Sequence, residues 1–75
     1  MPRLPVVSDA ETVRAFTRLG WRIVRRRGSH IVLTRPGALA SLSVPNHKEL
    51  DRGTLHDLIR EAEIAVDAFV AALRR

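Results

Sequence analysis

The chain has no cysteine and no tyrosine, only one tryptophan and two phenylalanines, and no apolar run longer than a few residues in its 75 positions. Each of these lacks excludes something. Without cysteine there is neither a disulfide staple nor a thiolate metal site, so a single small domain spanning residues 1–75 must hold by apolar packing and helix capping. That suits a reducing compartment. The apolar runs fall far short of the roughly 20 residues of a membrane span. The stretch Met1-Pro2-Arg3-Leu4-Pro5 also lacks the apolar centre of a secretion signal. A soluble, cytoplasmic protein with no membrane partner is expected. Glycine-rich phosphate loops, paired carboxylates in apolar settings and an ordered Ser/His/Asp set are all missing, which leaves nucleotide-driven and glycosidic chemistry unsupported. His30, His47 and His56, spaced by 17 and 9 residues with no cysteine, make no metal set, and no cofactor is expected.

Positive charge, by contrast, is abundant and lopsided. The net charge is +5, and residues 1–35 carry eight arginines against Asp9 and Glu11, while residues 36–75 carry five bases against six acids. A basic half of this density favours polyanions, because neutralising phosphates releases counterions; a merely solvated surface is the plainer alternative.

Local patterns predict an α+β domain of helix, three-stranded antiparallel sheet and C-terminal helix. Ser8 with Glu11 three residues on is a capping box. Ala10, Val13, Phe16 and Leu19 then recur at helical spacing until Gly20, giving a helix over 9–19. Alternation follows. Trp21 and Ile23 alternate with Arg22, Val24 and Arg26; Ser29, Ile31 and Leu33 with His30, Val32 and Thr34; Ala40, Leu42 and Val44 with Ser41 and Ser43. Arg27-Gly28 and Pro36-Gly37 mark the turns. Thr54 is read as the cap of one helix reaching about Leu73 along Leu55, Leu58, Ile59, Ala62, Val66, Phe69, Val70 and Leu73, with Ile64 off this stripe where a kink would fall. This order matches the double-stranded-RNA-binding-domain architecture, with both helices on one sheet face. Phe16, Trp21 and Phe69 all fall on core faces, which argues against binding single strands by stacking on exposed rings.

If Ile31, Leu33, Leu42 and Val44 face the core, parity places His30 on the open face with Arg22, Arg26, Thr34, Ser41 and Ser43. Imidazole takes up and releases protons near neutrality, its ordinary pKa being about 6.5. RNA brings its own nucleophile, the 2′-hydroxyl, so one histidine and a few cations suffice for slow cleavage. Cationic neighbours disfavour imidazolium, so the base role comes first. Among Arg22, Arg25, Arg26 and Arg27, whose guanidinium forks suit phosphate oxygens, Arg26 is favoured over Arg25 because strand parity puts it beside His30. His47 and Lys48 follow the third strand at the edge of this region.

Gly20-Trp21, the basic strand leading to Gly28-Ser29-His30, Val44-Pro45-Asn46-His47-Lys48-Glu49-Leu50 and Gly53-Thr54-Leu55, in this order, resemble the HicA family of toxins from toxin-antitoxin systems. The resemblance implies a metal-independent, RNA-cleaving toxin acting on mRNA, neutralised by a HicB-type antitoxin protein. It also places the catalytic histidine at His30; the residues around it, Arg22, Arg26, Arg27, Gly28, Ser29 and Lys48, are the RNA-binding candidates. A non-catalytic RNA-binding module on the same fold is the alternative. The chain departs from the family at Glu63-Ile64-Ala65, where a glycine-led helix break is usual, so a straightened C-terminal helix is expected. It departs again at Trp21, where phenylalanine is more common.

Overall fold

The computed structural model describes residues 3–75; Met1 and Pro2, which open the N-terminal stretch discussed above, lie outside the described residues. The element order is α1 (Asp9–Arg18), β1 (Arg22–Arg27), β2 (His30–Thr34), β3 (Leu42–Pro45), α2 (Arg52–Glu61) and α3 (Val66–Leu73). The strands form one antiparallel sheet in the order β1-β2-β3. This is the α+β, double-stranded-RNA-binding-domain-like arrangement, with one sheet face under the helices and the other open. No described helix is long and apolar enough to cross a membrane.

Capping starts α1 as expected. Ser8 Oγ accepts from the Glu11 N–H at 3.1 Å and Glu11 Oε1 accepts from the Ser8 N–H at 2.9 Å. The Ser8 N–H bonded to its carboxylate, then the nearby Ser8 hydroxyl, with Arg14 adding a smaller attraction, hold the Glu11 carboxyl below its ordinary pKa. The buried face of α1 is Thr12, Ala15 and Phe16, while Ala10, expected on the core stripe, is exposed. Thr12 can be buried because its hydroxyl donates to the Ser8 carbonyl at 2.8 Å, which leaves no orphan polar group. Gly20 then turns the chain at φ +99, a value that side-chain-bearing residues rarely adopt.

The core is continuous. Phe16 packs edge-on to Trp21 and tilted against Phe69, with ring centroids 6.2 and 5.1 Å apart. Leu33, Leu42 and Val44 of the sheet and Leu55 of α2 are buried around them. Each large apolar side chain removed from water contributes about 1.5–3 kcal/mol. Arg35 closes one rim, its guanidinium carbon lying 5.2 Å from the Trp21 ring centroid, so this arginine serves packing. Arg18 ties the two terminal helices together, Nη1 donating to the Ala72 carbonyl at 2.8 Å.

Three expectations are corrected. The third strand begins at Leu42, so Ala40 and Ser41 precede it. The second helix is capped by Asp51, whose Oδ2 accepts from the Thr54 N–H at 3.3 Å, and it starts at Arg52. Thr54 is thus the donor of the cap bond through its N–H, and Asp51 is the cap. The C-terminal helix is not continuous either, since α2 ends at Glu61 and α3 begins at Val66. Here the Ile64 N–H bonds to the Ile59 carbonyl and the Glu63 N–H to the Arg60 carbonyl. With Glu63 at φ +57, this is a Schellman stop with glutamate at the position usually held by glycine. Ile64, the residue off the helical stripe, packs against the core just beyond the stop. That contact offsets the cost of the left-handed residue.

Candidate nucleic-acid interface

The β1–β2 hairpin turns on two residues, Gly28 and Ser29, with Arg27 and His30 as direct cross-strand partners. Gly28 has φ +51, which the first position of such a tight turn demands and which glycine supplies without strain. An added Cβ there would meet nothing within 4 Å. The requirement is therefore conformational, not steric.

Residues directly opposite in an antiparallel pair share a face. Ile31 and Leu33 are buried against the helices, so their partners Arg26 and Ile23 point to that same helix-side face. His30, Val32 and Thr34 point to the open face, and with them their partners Arg27, Arg25 and Arg22. Arg26 therefore does not share the face of His30, contrary to forward counting from Trp21. The cause is an irregularity between Ile23 and Arg25, where the ladder skips Val24. One extra residue reverses the parity of everything after it. Counting backward from the Gly28-Ser29 turn instead puts Arg27 and Arg25 beside His30, so the misplaced residue had a readable signal. The remaining strand contributes Ser43 and Pro45, partners of Val32 and His30.

His30 is exposed, and its Nδ1 lies 3.3 Å from Ser29 Oγ. That contact steadies one ring nitrogen and leaves Nε2 facing solvent. The loop after β3 is held to the same end of the sheet by the Asn46 N–H, which donates to the Ser29 carbonyl at 2.6 Å. Its other anchors are main-chain bonds, from the Asp9 N–H to the His47 carbonyl and from the Leu50 N–H to the Val7 carbonyl. His47 thus has a scaffolding role through its backbone while its side chain is exposed, as is that of Lys48.

The structure therefore brings Arg27, Gly28, Ser29, His30 and Pro45 to one end of the sheet with Asn46 bonded beside them, while His47 is tied through its carbonyl to the start of α1. Arg25 lies further along the open face. Arg22 shares it but pairs with Thr34, four rows from His30 and so roughly 13 Å away. Ser41 lies beyond the strand, and His56 stands exposed on α2. Sequence reasoning undervalued Arg25 and overlooked Asn46, whose contribution is a backbone bond that no side-chain pattern announces. Among the described residues the only salt bridge joins Arg60 to Asp57, leaving the arginines of β1 without carboxylate partners. Their field is open to an outside anion.

Among the described residues no three His, Cys, Asp or Glu side chains converge as a metal would require. A family model for the HicA toxin of bacterial toxin-antitoxin systems matches residues 10–64, from α1 through the stop that ends α2. No curated protein matches the chain.

Proposed function

Because the chain belongs to the HicA toxin family of toxin-antitoxin systems, a membership that implies an antitoxin partner, we propose that it is the toxin and acts as an endoribonuclease on mRNA. His30 Nε2 is the general base. It removes the proton of a ribose 2′-hydroxyl, the freed oxygen attacks the adjacent phosphorus, and the bond from phosphorus to the 5′-oxygen breaks. Solvent protonates the departing oxygen, and the products are a 2′,3′-cyclic phosphate and a 5′-hydroxyl. Arg27 and Arg25 hold the phosphate, their charge growing in value as negative charge builds on its oxygens. Gly28 lets the backbone approach closely, Ser29 steadies the ring through Nδ1, and Lys48 extends the cationic border.

One observation carries this reading: a solvent-facing imidazole with an unpaired arginine as its direct cross-strand partner, at the turn end of a hairpin. RNA supplies the nucleophile, so the scheme has no step that calls for a metal. Incubating the purified chain with end-labelled RNA in chelator, and identifying the new ends, tests it. Cyclic phosphate and 5′-hydroxyl ends are expected. RNA that is bound with steep salt dependence yet left intact would favour the non-catalytic binding module.

A further inference from the structure

Strand β1 lies at the margin of the sheet and all six of its residues are exposed. Its outer edge has no partner strand among the described residues. In an antiparallel ladder every second residue turns its N–H and C=O away from its neighbour, so this edge offers a row of unmet donors and acceptors. Such edges pair readily with other chains unless something deters them. The opposite margin is less inviting, because β3 is four residues long and ends on Pro45.

What guards β1 is charge, and charge is selective. Arg22, Arg25, Arg26 and Arg27 occupy four of its six positions. A second copy of this chain would set the same four arginines against them and be repelled. An acidic strand would be attracted, and it would find an arginine on either face of the sheet, Arg26 on the helix side and Arg25 and Arg27 on the open side. Ile23 and Val24 are 40 and 52 % exposed, giving apolar contact within the cationic row. RNA makes poor use of these aliphatic groups.

We propose that the outer edge of β1 docks an extended acidic segment of a partner protein, which adds a fourth strand to the sheet. Repulsion of like and attraction of unlike strands make the edge specific without a pocket. The added strand lies two strand spacings, roughly 10 Å, from the strand that bears His30. Docking there leaves the imidazole uncovered by the segment itself.

The test is amide chemical-shift mapping on the isotope-labelled full chain, with a blocked Glu-Val-Glu-Val-Glu-Val hexapeptide as the probe and its Lys-Val counterpart as the control. Saturable shifts confined to residues 22–27 are expected for the acidic peptide alone, weakening as salt rises. Arg26→Glu, away from the face of His30, should weaken binding about fivefold to tenfold and Arg26→Gln by less. The second variant serves if the first fails to fold. Absence of saturable shifts at millimolar peptide, equal binding of the basic control, or shifts centred outside β1 would overturn the proposal. An RNA oligonucleotide that moves the Ile23 and Arg26 amides more than the acidic peptide does would also overturn it, assigning the edge to nucleic acid.

Discussion

Strands β1 and β2 lie side by side and share a hairpin, yet they are built on different physics. Strand β2 buries Ile31 and Leu33 on one side and leaves His30 exposed on the other, as simple alternation requires. Strand β1 buries nothing, carries a skipped residue at Val24 and holds four arginines. The lesson is that β2 is placed by packing and so sets the direction of His30, whereas β1 is placed by its pairing to β2. That freedom from the core lets β1 specialise in charge. Rigid placement of the imidazole and loose provision of cations thus come from neighbouring strands of one sheet.

The sharpest way to break this contrast compares Leu33 with its cross-strand partner Ile23. Leu33→Ala opens a hole at a fully buried position and should cost about 2–5 kcal/mol, a large share of the stability of so small a domain. Ile23→Ala should cost about 1 kcal/mol or less. Denaturant titration of both variants decides, and equal losses would show that β1 is as much a core strand as β2.

The arginines come next. Arg27→Ala and Arg25→Ala should each weaken RNA binding about tenfold and lower the salt slope by about 1. Arg26→Ala should change affinity by about twofold or less. Filter binding across a salt series measures all three, and a loss at Arg26 equal to that at Arg27 would contradict the register.

Deleting Val24 sharpens the same comparison. The ladder on both sides of the skipped residue then joins without a gap, and the turn still sets the parity of Arg25 and Arg27. The shortened chain should fold with a stability change of about 1 kcal/mol or less and keep its RNA affinity. Deleting Val32 from β2 is the contrasting control, expected to unfold the domain because it would turn core residues outward.

The smallest effect lies outside the sheet. Glu63→Gly relieves a left-handed glutamate and should raise stability by about 1 kcal/mol, read as a shift in the denaturation midpoint. A loss of stability would mean that the Glu63 side chain contributes more than its backbone costs.

Much of this was legible in the residues and some was not, for reasons that can be named. Packing left a clear trace: the capping box at Ser8 and Glu11, the alternation of β2 and β3, and the burial of Phe16, Trp21 and Phe69 all follow from apolar spacing. The face of Arg26 was misassigned because β1 has no buried residue to anchor its parity, so one skipped position is invisible when counting forward. The helix stop at Glu63 was hidden because the residue there is not glycine, and only the tertiary contact of Ile64 makes the turn worth forming. Thr54 drew attention from Asp51 because both are good capping types three residues apart, and side-chain geometry alone distinguishes donor from acceptor. His30 was readable because its neighbour in sequence, Ile31, has a core to face.

The most direct measurement is RNA cleavage by His30→Ala beside the unaltered chain, in chelator, with thermal melts of both. The imidazole is exposed and packs against nothing in the core, so the melts should coincide while cleavage falls about a hundredfold or more. Undiminished cleavage by a folded His30→Ala protein would contradict the assignment of the base.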